Sequence, residues 1–534
     1  MPPISPTPNA YGYPLLIKQL LIRSRLVSAT QEIVSGTDMR LSYAQFGERI
    51  GQLANTLKAN GIREGMRVGV MDWDTHRYLE CFFAVPMMGA VLHTINVRLS
   101  PAQVLYTINH GQPDLIIVHQ DFMPLIDDIK SDFERDITIV PIGNGEGYEE
   151  WIGEAQIHFD FPDFDENQTA TLFYTTGTTG NPKGVSYSHR QLVLHTLGLI
   201  AGFGTFSGNA GFHRDDVYMP LTPLFHVHGW GFPYAATMLG LRQVYPGRYT
   251  PDTILRLIAA EGVTFSHCVP TILSMMLDHP DCPQTDLSQW KVIIGGAALP
   301  RGLQDRAAAE GISLHAAYGM SETCPFLTVA DLSSVDPDIQ AQTGFPGPLV
   351  DLRVVTPDMQ DVPHDGETTG EVVARAPWLT QGYLGNAQAS DTLWADGYLH
   401  TGDVGYIREN GSLQITDRLK DVIKTGGEWI SSLALENIAS SCTGIEEVAA
   451  IGLPHAKWGE RPVLVAQIAN DADPDLVRLS IMEEIQSCVG LGELSKWAVP
   501  DEIYFVDHLP KTSVGKLDKK VIRQDISTRS DILS

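Results

Sequence analysis

Ala170-Thr171-Leu172-Phe173-Tyr174-Thr175-Thr176-Gly177-Thr178-Thr179-Gly180-Asn181-Pro182-Lys183-Gly184 is the stretch on which the reading of this chain turns. An apolar run, Ala170 to Tyr174, enters a dense Thr/Gly loop, and a helix-period stretch, Arg190 to Ile200, follows it. Glycines allow such a loop to turn its backbone N–H groups inward. The Thr hydroxyls add donors and Lys183 adds a positive charge, a combination suited to cradling a polyphosphate. No Gly-Lys pair is followed by Ser or Thr at the P-loop spacing, so a Walker-type NTPase is disfavoured. The competing reading is a flexible surface loop, which the density of the pattern between strand and helix argues against.

Outward from the loop, short apolar runs alternate with helix-period stretches. Upstream these are Val68 to Met71, Tyr78 to Met88, Val91 to Ile95, Pro101 to Asn109 and Leu115 to Val118. Downstream the rhythm returns at Thr264 to Cys268, Val292 to Ile294 and Ser313 to Ala316. Strand–helix–strand units of this kind predict an α/β fold with parallel sheets. Past Gly370 the texture shifts to short β-like pieces with turn signals at Asp396-Gly397 and Asn410-Gly411. After Asp417 a smaller unit is expected, with a helix opening near Ser431-Ser432, strands at Val448 to Ile451 and Val463 to Ile468, and a helix from Pro474 to about Cys488.

The bulk numbers narrow the classes. At 534 residues the chain exceeds one ordinary core. Thirty-seven Lys and Arg against 64 Asp and Glu give a net charge of −27, which opposes general binding to nucleic acid or anionic membrane. No apolar run is long enough to span a bilayer, and residues 1 to 13 lack the build of a secretory signal, so a cytoplasmic protein is expected. The six cysteines are scattered without metal-site spacing, which fits a reducing compartment and no metal cage.

Five further elements carry chemistry. Gly295-Gly296-Ala297-Ala298 follows an apolar run; its small side chains would let backbone approach a ligand, although a tight strand-to-helix turn explains it equally. Ala317-Tyr318-Gly319-Met320-Ser321-Glu322 offers an aromatic ring and a carboxylate. Thr401-Gly402-Asp403 and the charged run Asp417-Arg418-Leu419-Lys420-Asp421 would each pass for a common turn if met alone. Near the C-terminus, Leu509-Pro510-Lys511-Thr512-Ser513-Val514-Gly515-Lys516 ends in a lysine on a glycine turn.

In this order, these segments resemble the motifs of the adenylate-forming superfamily, which includes acyl-CoA synthetases, adenylation domains of peptide synthetases and beetle luciferases. The matches span Ala170 to Lys520. The resemblance implies an α/β fold: a large multi-layered N-terminal domain, 1–416, with parallel-sheet subdomains and a β-rich subdomain; a hinge, 417–422; and a small mobile C-terminal lid domain, 423–534. It implies that Thr175, Thr176, Gly177, Thr178, Thr179, Gly180 and Lys183 hold the phosphates of ATP. Gly296, Ala297, Ala317, Tyr318, Gly319, Met320 and Ser321 would line the adenine and adenylate, with Ser321 standing where the family usually has Thr. Asp403 would bind the ribose, and Thr176 and Glu322 would hold Mg²⁺. Arg418 is expected at ribose and phosphate, Lys420 at the pivot, and Lys516 at the reacting α-phosphate. Lys424, Gly426, Gly427 and Trp429 would line the path of coenzyme A once the lid has rotated.

The segment Leu224-Phe225-His226-Val227-His228-Gly229-Trp230 resembles that of medium- and long-chain fatty acyl-CoA synthetases and the related methylmercaptopropionate ligases. It implies an acyl pocket of His226, Val227, Trp230 and Gly231, with His226 near the carboxylate. A hydrogen-bonded core histidine is the other account of His226. No Asp in this segment could hold an amino group, and only 18 residues follow Lys516, which leaves no room for a carrier domain. The expected reaction is an AMP-forming acyl-CoA ligation of a medium or long aliphatic acid, with a short, methylthio-alkanoic or aryl acid as the alternative. Fatty-acid relatives are often homodimers, and Tyr13 to Leu26 could serve that contact or pack on its own domain.

Overall fold

The computed structural model describes residues 5–37, 39–143, 146–175, 181–206, 210–332, 343–426, 428–470, 472–512 and 516–533, and of residues 146, 429 and 529–533 the backbone alone. A six-stranded sheet runs in the order Thr138–Pro141, Leu115–Val118, Arg67–Met71, Val91–Thr94, Thr169–Thr175, Lys183–Ser188, all parallel except the last strand. The strands Leu115–Val118 and Val91–Thr94 are buried at every position. Both of their faces are covered by other elements, so their sequences are near-continuous apolar runs rather than alternating ones.

A nine-stranded sheet packs beside it. Ser313–Gly319, Lys291–Gly295, Phe265–Cys268, Val217–Pro220, Arg242–Tyr245 and Glu32–Ser35 are mutually parallel, with antiparallel strands at both edges. The helix His76–Met87 is buried along its whole length. Such a helix must neutralise its charges internally: Arg77 forks onto Asp72 with two 3.0 Å bonds, and Glu80 takes Arg49 at 2.5 Å. Three helices, Tyr43–Ala59, Pro101–Gly111 and His189–Phe203, begin with the same Ser-x-x-Gln capping box. Each box satisfies two otherwise orphaned backbone donors and fixes where the helix starts.

Beyond the two parallel sheets lies an antiparallel one of Asp351–Val355, Gly370–Arg375, Tyr398–Ile407, Trp394–Ala395 and Leu413–Arg418. The C-terminal domain has its own sheet, Glu428–Ile430, Ile423–Thr425, Gly459–Ile468, Ile445–His455 and Glu502–Phe505, with its own apolar core under the helices Ser432–Ser440 and Pro474–Leu491. The α/β class and the large-plus-small build match the sequence expectation. The N-terminal helix Gln19–Val27 buries Leu20 and Leu21 in the main core while Ile22 and Leu26 stay exposed. No described helix is long and apolar enough to cross a membrane, and all six cysteines are free.

The charged run at 417–421 begins on a buried residue, although Arg418 and Lys420 after it are exposed. Asp417 is 2% exposed and accepts bonds from the backbone N–H and hydroxyl of Ser432. Lys519 bonds the same hydroxyl at 2.7 Å and Glu436 at 2.7 Å. The end of strand Leu413–Arg418 is thereby tied to two helices of the C-terminal domain.

Candidate active site

Three of the residues singled out in the sequence close strands of the two mainly parallel sheets: Thr175, Gly295 and Gly319. Gly295 closes strand Lys291–Gly295, and Gly296 follows it with φ +82°, a left-handed conformation that costs a residue with a Cβ. A methyl group built on Gly296 would stand 3.0 Å from Lys516 Cε and 3.5 Å from its Nζ. The C-terminal lysine therefore lies against the glycine turn of the N-terminal domain, more than two hundred residues away in the chain. Ala317 pairs with Gly295 across the sheet, and Ala297 is exposed.

Tyr318, Gly319, Met320 and Ser321 form the end of strand Ser313–Gly319 and the turn after it. Gly319 is obligatory: a Cβ there would fall 1.5 Å from the Pro325 carbonyl oxygen. The Tyr318 hydroxyl donates to Asp403 at 2.7 Å, and Arg418 Nε meets the other oxygen of Asp403 at 3.0 Å. Asp403 and Arg418 are register partners on neighbouring antiparallel strands, which explains how two residues fifteen apart face each other. Burial, then Asp403, pushes the Tyr318 hydroxyl well up, and Asp403 raises Arg418, so the phenol stays neutral and the guanidinium charged.

Glu322 is buried and accepts a 2.7 Å bond from the Tyr383 hydroxyl. Lys183 lies 4.5 Å from the centroid of the same Tyr383 ring. Tyr383 thus joins the Lys of the Thr/Gly loop to the candidate metal carboxylate. The sequence reading missed it. Its local signal, Gln381-Gly382-Tyr383, is a turn tripeptide, and its partners are 61 and 200 residues distant. Tyr187, also missed, fixes the Ser321 carbonyl at 2.7 Å.

Lys516 is brought within the electrostatic reach of Arg418, Asp403, Glu322 and Lys420; burial first, then Arg418, pushes it down to about 8. His226 is pushed down to about 3 by burial, then by Lys516 and Arg98, and is neutral near pH 7. Burial and Arg418 also lower Lys420. The core histidine of this segment is His228, caged by Phe82, Phe173, Tyr187 and Tyr234.

Val227, His228, Gly229, Trp230 and Gly231 all have φ between +47° and +78°, a complete left-handed turn. Three of the five carry a Cβ, and each such residue costs about 1–2 kcal/mol in this region. The turn places the Trp230 ring among His267 (5.2 Å), Phe326 (5.8 Å) and the open side of Gly295, while Gly231 meets His195. Val227 is fully buried beneath.

Thr175 ends its strand, but Thr176, Gly177, Thr178, Thr179, Gly180 and Gly427 lie outside the described residues, as does the Trp429 side chain. Lys424 and Gly426 are not gathered with the others: Gly426 lies 3.3 Å, measured from a built Cβ, from Trp497 of its own domain. Among the described residues no cluster of three His, Cys, Asp or Glu could cage a metal. A lone buried carboxylate, Glu322, joined through Tyr383 to Lys183, nevertheless suits Mg²⁺, which is commonly held by one or two carboxylates together with substrate phosphates.

The model of the AMP-binding enzyme family matches residues 26–384, and that of the AMP-binding enzyme C-terminal domain matches residues 434–516. The chain is 37% identical to a long-chain-fatty-acid–CoA ligase of Thermus thermophilus over 97% of each chain. It is 36% identical to a 3-methylmercaptopropionyl-CoA ligase of Ruegeria lacuscaerulensis over 96% of this chain and 97% of that one. An anthranilate CoA ligase, solved in complex with anthranoyl-AMP, shares the fold with a TM-score of 0.86 at 24% identity, over 96% of this chain and 97% of that one.

Proposed function

Since the chain belongs to the AMP-binding enzyme family, we propose that it joins a carboxylic acid to AMP and then transfers the acyl group to coenzyme A, releasing AMP. The observation that carries this reading is the meeting of Lys516 with Gly296, Asp403, Arg418 and Glu322. A carboxylate is a poor electrophile; its oxygen attacks the α-phosphorus of ATP, the bond from that phosphorus to the α,β-bridging oxygen breaks, and pyrophosphate leaves. Negative charge grows on the phosphoryl oxygens and the leaving group, and the Lys516 ammonium with Arg418 is set to stabilise it. Asp403 accepts from the ribose hydroxyls, Tyr318 lies along adenine, and Lys183 with the Thr/Gly loop takes the β,γ-phosphates. Glu322, and Thr176 from the loop, would hold Mg²⁺, which supplies charge neutralisation at the phosphates when bound.

The thiol step follows at the same site. Residues 423–534 rotate about the 417–422 hinge, withdrawing Lys516 and presenting Lys424, Gly426, Gly427 and Trp429 to the pantetheine arm. The thiolate attacks the acyl carbon, the acyl–phosphate bond breaks, and AMP departs. The apolar wall of Trp230, Phe326 and His267 favours an aliphatic acid of medium or long chain, with methylthio-alkanoates as the second reading on the strength of the 36% identical relative. Free cysteines fit a cytoplasmic setting.

Purified protein given ATP, Mg²⁺, coenzyme A and an acid panel from propanoate to palmitate is expected to yield AMP, pyrophosphate and thioester; formation of ADP would falsify the reading. Trp230→Ala removes the ring that fills the pocket. The ratio of kcat/KM for twelve-carbon over four-carbon acid should rise about tenfold, since each methylene given apolar contact is worth about 0.8 kcal/mol. An unchanged ratio would remove Trp230 from the acyl wall.

The pH profile follows from Lys516. The ammonium is the active form, and in the free enzyme it is lost as pH rises through about 8. Plotted against pH, kcat/KM for ATP in ATP–pyrophosphate exchange should therefore fall above about pH 8, whereas Lys516→Arg, which stays charged, should hold a plateau past pH 9 at lower height. Identical alkaline limbs in the two proteins would contradict the assignment.

A further inference from the structure

The left-handed turn Val227–Gly231 stores strain, and strain persists only where neighbours over-determine it. Its upstream anchors are few. Thr94 Oγ1 donates to the Phe225 carbonyl at 2.9 Å, and Asp74 Oδ1 accepts the Leu224 N–H at 2.7 Å in a fully buried bond. Asp74 is 5% exposed and stands just past the strand Arg67–Met71; its own carbonyl accepts from Gly247, so its backbone is fixed. The carboxylate lines a cavity of about 200 Å³ whose other walls include Phe225, Tyr249 and Arg98. Arg98 lies over the Phe225 ring at 5.9 Å, so the cavity joins the Asp74 anchor, the loop and a cation.

We infer that Asp74 is a positioning residue for the acyl-binding loop: by holding the Leu224 N–H while facing Arg98 across the cavity, its carboxylate keeps the strained turn in the form that presents His226 and Trp230. The inference rests on the reading of that loop as the acyl site. An uncharged acceptor would make the same bond more weakly, because charge-assisted hydrogen bonds are stronger than neutral ones. Ionisation of Asp74 is opposed by burial and, less, by Asp72, and favoured by the Leu224 N–H and Arg98; together they bring it up to about 7. Tyr78, Tyr218, Tyr245 and Tyr249 surround it, each held neutral by burial, and Arg248 completes the charged rim of the cavity. The carboxyl is neutral below about 7 and charged above. Because the Leu224 N–H favours the charged form, a released loop that leaves Asp74 buried would disfavour ionisation further; the hold on the loop therefore tightens as pH rises through 7.

Asp74→Asn keeps shape and acceptor but cannot ionise. In acid-dependent ATP–pyrophosphate exchange at saturating ATP, it should match the wild type within about twofold at pH 6 and trail it about tenfold at pH 8, through KM for the acid and not for ATP. Asp74→Ala should trail at both pH values. A wild-type to Asn ratio that is constant with pH, or a KM for ATP that moves in step, overturns the inference. Hydrogen exchange of the segment 221–231 judges the anchor without turnover. Corrected for intrinsic rate, protection should increase from pH 6 to 8 in the wild type and stay flat in the Asn variant, and a parallel response of the two would also overturn it. Absence of exchange with every acid in the wild type would instead defeat the acyl-activation reading, leaving the amide protection to decide on Asp74.

Discussion

Lys516→Ala should lower acid-dependent ATP–pyrophosphate exchange by about 10²–10³-fold, the range found when one preorganised donor to a developing charge is removed. The same variant, given preformed acyl-adenylate and coenzyme A, should make thioester at close to the wild-type rate. The split follows from geometry. Lys516 is seated against Gly296 and within the field of Asp403, Glu322 and Arg418, so its charge serves the step in which phosphate charge develops. In the thiol step of the proposed cycle the departing group is AMP, and rotation of the C-terminal domain would have carried the lysine away. Stability should change little, because deletion relieves a half-buried cation whose ammonium is already disfavoured by burial and by Arg418. Equal loss in both half-reactions would show that Lys516 holds the domain rather than the phosphate.

The second large effect is expected at Asp403. Its two oxygens are divided between the Tyr318 hydroxyl at 2.7 Å and Arg418 Nε at 3.0 Å, and only 4% of the residue is exposed. Asp403→Ala should raise KM for ATP at least tenfold and reduce kcat/KM by about 10²-fold, since it removes both the ribose acceptor and the group that aims Arg418. The stability cost should be small, about 1 kcal/mol, because the Arg418 side chain is 46% exposed and water takes over part of its solvation. Comparison with 2′-deoxy-ATP separates the two roles. The wild type should discriminate against it, and the Ala variant should use both nucleotides alike. Retained discrimination in the variant would place the ribose elsewhere, whereas loss of activity with a collapsed melting temperature would make Asp403 structural.

Much of this was legible in order and chemistry. The apolar run that leads into the Thr/Gly loop, the glycine pair after Ile294, and the Tyr-Gly-x-Ser-Glu element each announce small or polar groups at strand ends. In the structure Thr175, Gly295 and Gly319 close their strands, while the loop is followed by the strand Lys183–Ser188 before the helix begins. Strand limits were nearly right because buried parallel strands are short apolar runs with sharp ends; Leu115–Val118 agrees to the residue. The helix opening after Ser431 was found because a serine cap is a local signal. The charged run at 417–421 read alone as a solvated turn, and only the Ser432, Lys519 and Glu436 side chains make its first residue, Asp417, a buried junction.

Tyr383, Tyr187 and Asp74 could not be found in the same way. Each is an ordinary residue in its own neighbourhood, and its hydrogen-bond partner lies between 61 and 150 residues off. The left-handed turn at Val227–Gly231 ran against local preference, since Val, His and Trp disfavour positive φ. Sequence by itself determined the elements, the order of the chemical groups and the family they form, because helix caps, apolar periods and glycine turns act within a few residues. The tertiary structure alone decided which charge meets which: that Lys516 lies on Gly296, that Asp403 aims Arg418, and that a buried carboxylate holds a strained loop. Those pairings form only when distant segments are packed together and water is excluded from between them, and that exclusion gives each charge its strength.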